Sequence, residues 1–274
     1  MSLFKTIAEL EESQTPFAIV TIINATESSP GRTAFKMVVT QTASWGSVGG
    51  GTLEYQAQKL AREAMIRRIP TQTLSVDLTD EALGGNGMAC GGHADLLIET
   101  FQPAPKLFIF GGGHIGTALT NIMSRCGFEV TVIDNRAEFS DKARHPSASQ
   151  TLCLETYRQV AKLEFPQKAW FVIVTHGHVG DEDCLLGLLS HEQLQAAYIG
   201  LIGSAKKLGR VFADIIDKGA ATRDALMQVH APIGLDLGGQ SADEIAVAIA
   251  AEIIATRYDK DISNAMRYQK PVVF

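Results

Sequence analysis

The sequence predicts an α/β chain in two parts. A smaller N-terminal α+β domain covers residues 1–101, and residues 106–274 form a parallel sheet with helices on both faces. Three observations carry this reading. The second half alternates short apolar strands with helical segments, which requires a sheet buried on both faces. A glycine turn, Gly111-Gly112-Gly113-His114-Ile115-Gly116, joins the first of those strands to the first helix and makes the second half Rossmann-like. Between the halves, Gln102-Pro103-Ala104-Pro105 reads as an extended connector.

The elements follow in order. Ser2 to Glu12 has the pattern of a short amphipathic helix. Phe17 to Asn24, Lys36 to Thr40 and Trp45 to Val48 read as strands, with Ser29-Pro30-Gly31 as one of the breaks between them. Thr52 to Arg67 places Leu53, Ala57, Leu60, Ala61 and Ala64 at helical spacing. Strand-like Thr71 to Leu78, a glycine-rich turn and Asp95 to Phe101 complete the first half. Beyond the connector, strands are expected over Leu107–Phe110, Glu129–Ile133, Thr151–Leu154, Trp170–Thr175 and Ala197–Ile202. Helices are expected near Ile115–Cys126, Asp181–Ser190 and Ala205–Lys218.

Composition narrows the partners. Hydrophobic residues are 46% and charged residues 20% of the chain, ordinary for a packed globular core. A net charge of −6 with scattered Lys and Arg argues against nucleic acid. The most apolar stretch, Ile245 to Ile254, is interrupted by Glu252, so no membrane span is expected, and the first residues lack the pattern of a signal peptide. The 4 cysteines show no CxxC and no close pairing, the usage of a reducing compartment, so a cytoplasmic location is expected.

The glycine turn has a physical logic. Gly111 permits the tight turn, Gly113 lets backbone approach a phosphate, and Gly116 lets helix pack on strand. The helix that leaves the turn offers free N–H groups to an anion. Asp134 closes the next strand, where an acid would bond ribose hydroxyls, while nearby Arg136 leaves a 2′-phosphate open, so NAD and NADP are not separated.

Other clusters stand beside it. Residues 84–92 set five glycines around Cys90, more backbone freedom than a packed core needs. A thiol there suits a soft metal or a nucleophilic role, and a buried inert thiol is the alternative. Cys126, Cys153 and Cys184 lie in apolar patterns and read as packing. Ser47 to Glu54 is a second glycine turn, either an anion contact or a plain turn. Thr175-His176-Gly177-His178-Val179-Gly180-Asp181 follows a strand at the edge where ligands bind. His176, His178 and Asp181 suit metal or acid–base work; alternatively Asp181 is a helix N-cap and the histidines are loop residues. Ser204 precedes Lys206 and Lys207 after another strand, as an N-cap or as a phosphate contact. His230 to Gly239 reads as a loop returning to the sheet's binding edge, and Ser241-Ala-Asp-Glu244 has capping-box spacing.

Taken in order, these stretches resemble the xanthine dehydrogenase accessory factor family, XdhC/CoxI. The matching pieces are Gly49-Gly50-Gly51-Thr52-Leu53-Glu54, Cys90-Gly91-Gly92, Leu107 to Gly116, Thr175-His176-x-His178-x-x-Asp181, Tyr198 to Ser204, and Ala231 to Leu235 through Glu244-Ile245-Ala246. They span roughly residues 18–257. The chain departs from the pattern after Ser204, where Ala205 and two lysines stand instead of an early arginine, and at Ser241, where the family favours Thr-Pro-Glu-Glu.

The resemblance implies a cofactor chaperone that binds molybdenum cofactor (molybdopterin) and delivers it to a xanthine dehydrogenase-type molybdenum hydroxylase. It implies Cys90 as the metal-side ligand. The cofactor contacts it implies are Cys90, Gly91, Gly92, Gly111, Gly113, His114, Gly116, Asp134, His176, His178, Asp181 and Ser204, with no catalytic residue assigned. The implied partners are the client enzyme and a cysteine desulfurase, and the expected assembly is a homodimer. The alternative is an NAD(P)-dependent oxidoreductase acting on a small molecule, with His176 or His178 as acid or base.

Overall fold

The computed structural model describes residues 2–26, 29–77, 92–191 and 193–260. It divides into two compact units, Met1–Pro103 and Ala104–Phe274. Among the described residues, no helix is long and apolar enough to cross a membrane.

The first unit contains α1 (Leu3–Glu12), β1 (Phe17–Ala25), β2 (Lys36–Val39), β3 (Ser44–Gly46), α2 (Gly51–Ile66), β4 (Thr71–Asp77) and β5 (His93–Phe101). The strands form an antiparallel sheet in the order β3-β2-β1-β5-β4. Alternation explains its two faces: β5 buries Ala94, Leu96 and Ile98 and leaves the residues between them partly exposed. The helical stripe predicted from spacing is the buried one, with Leu53, Ala57, Ala61 and Ala64 of α2 packed in one cluster with Val20, Ile22, Leu96 and Ile98. The strand expected over 45–48 ends earlier, at Gly46, where φ of +80° leaves the extended region.

The second unit contains β6 (Lys106–Phe110), α3 (His114–Arg125), β7 (Glu129–Asp134), β8 (Gln150–Cys153), β9 (Trp170–Ile173), α4 (His178–Leu189), β10 (Tyr198–Leu201), α5 (Ala205–Asp217), α6 (Arg223–Met227) and α7 (Ala242–Arg257). Short 3₁₀ turns cover Ala137–Phe139 and Tyr157–Lys162. All strands are parallel in the order β10-β9-β6-β7-β8. The chain therefore winds outward one way from β6 through β8 and the other way from β9, which puts the topological switch between β6 and β9. The fold is the Rossmann-like α/β sheet that the strand–helix alternation predicts.

Both faces of this sheet are covered, as the continuous apolar strands require. Leu107 and Ile109 of β6 join one core with Leu119 and Met123 of α3 and Ile249 and Ile253 of α7. Phe110 belongs to the opposite core, with Val160, Phe171, Leu185 of α4 and Leu208 of α5. Each such aliphatic or aromatic side chain, fully buried, contributes about 1.5–3 kcal/mol relative to exposure.

Some expectations change here. Cys184 is buried as read, and burial first, then neighbouring acids, raises its thiol pKa far above the usual value. Cys126 is half-buried, but Cys153 is exposed, because β8 is an edge strand with few residues covered. The predicted helix at Asp181 begins three residues earlier, at His178, with Gly177 at the N-cap. The segment from His230 does return to the sheet: His230 bridges Gly200 in parallel, and Ile233 N–H donates to the Leu201 carbonyl at 3.0 Å.

Glu252, which breaks the apolar run of α7, is the buried pin of this edge. Its carboxylate accepts from Tyr198 Oη at 2.7 Å, His230 Nδ1 at 3.0 Å and Gly234 N–H at 2.6 Å. Burial alone would push its pKa up, but these three donors outweigh it and hold the carboxyl below the ordinary 4.5. Removing the carboxylate leaves the buried Tyr198 hydroxyl and two half-buried donors without their acceptor, so Glu252→Ala is expected to cost about 1–3 kcal/mol in denaturant unfolding. A depressed carboxylate contributes stability that is present above the unfolded value and lost as pH falls through the folded one. Wild type should therefore lose stability below about pH 4.5 more steeply than Glu252→Gln, as read from unfolding midpoints across acid pH.

Candidate functional site

The site is built where β6 hands over to α3. Gly111 has φ of +113°, and a Cβ there would collide with the Val174 carbonyl at the end of β9. A Cβ on Gly112 would strike the Phe139 carbonyl, and one on Gly116 the Gly111 carbonyl. These three glycines are demanded by the fold. Gly113 is different: its φ is −69°, which any residue adopts, and a Cβ there would meet nothing within 4 Å. It is the N-cap of α3, and among the described residues no side chain caps that helix. The α3 N-terminus thus keeps its N–H groups available on an open side.

Asp134 ends β7 and is fully buried. Its Oδ2 accepts from Gly112 N–H at 2.8 Å and Arg136 Nη2 at 2.9 Å, and its Oδ1 accepts from Arg136 N–H at 3.0 Å and Nε at 2.9 Å. Burial raises its pKa, but the Arg136 fork and the two backbone donors outweigh burial and leave it below 3.8. The Arg136 guanidinium lies 3.7 Å from the centre of the Phe139 ring, and Arg144 lies 4.6 Å from the same ring. Buried His145 bonds the Phe139 carbonyl through Nε2 at 2.8 Å and so supports that turn. The acid expected to meet a ribose is spent inside the protein.

Three depressions lie along the carboxyl ends of the strands, where open parallel sheets bind ligands. The first, about 460 Å³, is lined by Gly113, His114, Arg136, Phe139 and His176, with Gln240, Ala242 and Ile245 from the start of α7 as its far wall. The second, about 340 Å³, shares His176 and adds Asn135, Tyr157, His178 and Asp183. The third, about 380 Å³, shares His178 and adds Ser204, Lys206 and Arg210. In the second, the Asn135 Oδ1 and the Tyr157 hydroxyl are buried without a hydrogen-bond partner among the described residues, the hydroxyl lying near the Asn135 backbone.

The structure thus brings Gly113, His114 and His176 to one cavity, His178 and Ser204 to another, and keeps Gly111 and Gly116 beneath as fold-makers. Asp181 turns back into its own connection, where its Oδ1 accepts from Thr175 N–H at 3.1 Å and Thr175 Oγ1 at 2.7 Å. It is 7% exposed, so it braces the loop instead of facing the histidines. Among the described residues, no three His, Cys, Asp or Glu side chains converge as a metal site. Cys90 and Gly91 lie outside the described residues; Gly92 has φ of +100° immediately before β5. The Ser47–Glu54 turn is closed by its own acid: Ser47 Oγ bonds Glu54 Oε2 at 2.6 Å, which puts a carboxylate where an anion would otherwise sit.

Sequence reasoning missed Phe139 and the α7 wall. The signal for the wall was present, since the capping box at Ser241 and Glu244 marks where α7 begins, and both of its bonds form. For Phe139 there was none, because one aromatic in a polar loop has no periodicity.

Residues 107–253 match the family described as XdhC Rossmann domain, and residues 10–77 match the XdhC and CoxI family. The uncharacterized protein YqeB of Escherichia coli (strain K12) is 26% identical over 258 residues, covering 94% of this chain and 46% of that protein. A protein of Bacillus subtilis (strain 168) described as a probable subunit of xanthine dehydrogenase is 29% identical over 163 residues, 60% of this chain and 46% of that protein. The chain therefore spans about half the length of these curated relatives. A crystal structure of a xanthine dehydrogenase from Bacillus halodurans superposes with a TM-score of 0.51 at 19% identity, over 97% of this chain and 98% of that one, a likeness of fold.

The glycine geometry separates two substitutions. Gly116→Ala drives a methyl into backbone and is expected to cost about 3 kcal/mol or more by chemical unfolding. Gly113→Ala meets open space and should cost no more than about 1 kcal/mol in the same measurement.

Proposed function

The chain belongs to the XdhC and CoxI family, and on that premise we propose that it is an accessory factor that holds molybdenum cofactor and delivers it to a xanthine dehydrogenase-type molybdenum hydroxylase. The observation that carries the reading is Gly113. The fold needs glycine at 111, 112 and 116, but leaves Gly113 with free space beside the cavity bounded by α3 and α7. A glycine with no structural demand, at an uncapped helix N-terminus, is what close approach of a phosphate requires.

The donor set fits the cofactor's phosphate end. The α3 N–H groups, Arg136, His114 and His176 meet at a cavity of about 460 Å³, in the usual range for a small organic ligand. When bound, the cofactor supplies a dithiolene-held soft metal, for which the Cys90 thiolate is the proposed partner. This chain's own residues bind the phosphate, orient the pterin along the strand ends and shield it until transfer. Partners on this reading are the client hydroxylase and a cysteine desulfurase, and the proposed assembly is a homodimer. A plain NAD-dependent oxidoreductase is less favoured, because Asp134 has its lone pairs filled by Gly112 and Arg136 and offers none to a ribose diol.

The test is cofactor load. Full-length protein purified from a molybdenum-sufficient host is expected to carry molybdenum by elemental analysis and a fluorescent pterin after oxidation. Gly113→Ala should remain folded and lose most of the pterin, and Cys90→Ala should lose the metal. Absence of pterin, together with tight NAD(H) binding and hydride transfer, overturns the reading.

A further inference from the structure

We propose that Arg136 is the receptor for a phosphomonoester in the cavity bounded by α3 and α7, so that its ligand carries a terminal phosphate where plain NAD carries a free ribose hydroxyl. This rests on the preceding reading only in taking the cavity as a ligand site.

Asp134 is saturated. A carboxylate has about four acceptor positions, and Gly112 N–H, Arg136 N–H, Nε and Nη2 fill them at 2.8–3.0 Å with the group fully buried. The acid at this position would have to give up an internal bond to take a sugar diol. Arg136 has the opposite status. Of five guanidinium N–H donors, Nε and one on Nη2 go to Asp134. The rest, including both on Nη1, lie on a side chain that is 29% exposed and lines the cavity.

The guanidinium is also held in place. Asp134 grips it edge-on, and the Phe139 ring supports one face at 3.7 Å. The carboxylate sits behind and the cation in front, so the pair, though neutral in sum, presents its positive end to the cavity. Among the described residues no aspartate or glutamate side chain lines that cavity, while His114, His176 and the α3 N-terminus do. A fixed planar fork beside backbone N–H groups suits a tetrahedral dianion far better than a neutral hydroxyl pair.

Two sources share this chemistry: the phosphate of a pterin cofactor and the 2′-phosphate of an NADP-type dinucleotide. The experiment separates them by titrating the full chain with two probe pairs. One pair is the oxidised fluorescent pterin derived from molybdopterin, with and without its phosphate; the other is NADPH and NADH. In at least one pair, wild type is expected to bind the phosphorylated member about tenfold to a hundredfold more tightly, the range of a charge-assisted bidentate contact. The double variant Asp134→Asn/Arg136→Gln, which avoids leaving a buried lone charge, should bring that ratio near one, the phosphorylated member losing more affinity than its dephosphorylated counterpart.

A wild-type ratio near one in both pairs overturns the proposal, as does a variant that weakens both members of a pair equally. Should the double variant fail to fold, Arg136→Lys keeps the charge without the fork and is expected to cut the ratio severalfold; an unchanged ratio overturns it. Pterin load after purification is read separately. Load with a ratio near one sinks the Arg136 assignment alone. NADPH preference without load upholds Arg136 and sinks the molybdenum cofactor reading.

Discussion

One carboxylate, that of Asp134, ties together the parts on which the candidate site depends. Its bond to Gly112 N–H joins the turn after β6 to the end of β7, and its fork with Arg136 fixes the first residues of the loop beyond β7. Gly112 is then pressed so close to the Phe139 carbonyl that no side chain fits, and Phe139 in turn supports Arg136. A buried charge with one unmet bond would be costly, and here each lone pair is answered by a donor, two of them from the backbone. The turn's shape, the arginine's direction and the positive face of the cavity are consequences of that single satisfied group.

A second buried carboxylate performs the same task for the opposite wall. Glu252 draws Tyr198 of β10, His230 and the Gly234 amide onto α7 and so pins the helix to that edge of the sheet, while the capping box at Ser241 and Glu244 fixes its start beside Gln240, Ala242 and Ile245. The wall needs such a pin because the apolar packing of α7 against α3 is non-directional and sets distance better than register. Neither carboxylate is offered to solvent. Each trades the hydration of its charge for geometry, and between them they set the two sides of one cavity.

The architecture was legible in the sequence because its signals are redundant. Apolar strands at β6, β7 and β9, helical stripes between them and a glycine turn in register all point to one parallel sheet, and an error of one or two residues at an end changes nothing. Local chemistry was legible where it is local: the capping box at Ser241 and Glu244 joins residues three apart. What was not legible depends on distant partners. Asp134 stands at the right spacing for a ribose acid, and only the arrival of Arg136 across its carboxylate removes that role. Asp181 had a plausible place beside two histidines, but its bond to Thr175 depends on α4 starting at His178, which no periodicity marks. Glu252 looked like a simple interruption of an apolar run, because its three partners come from β10 and from the loop around His230 and Gly234.

The same contrast explains why a dinucleotide fingerprint is weak evidence for a dinucleotide. Spacing records which residues can stand near a ligand, but the sign of the charge they present is set by hydrogen bonds that spacing does not encode. With a free Asp134 this cavity would present a carboxylate and select a diol. With Asp134 turned inward it presents a guanidinium, and on the proposal made above the selection inverts toward phosphate. Gly113 adds the complementary distinction within the turn itself. Three of its glycines answer to neighbouring carbonyls and would be kept by any protein with this strand–helix packing, while the fourth answers to nothing in the protein. In this turn the residue free of structural demand is the one on which the proposed ligand contact rests.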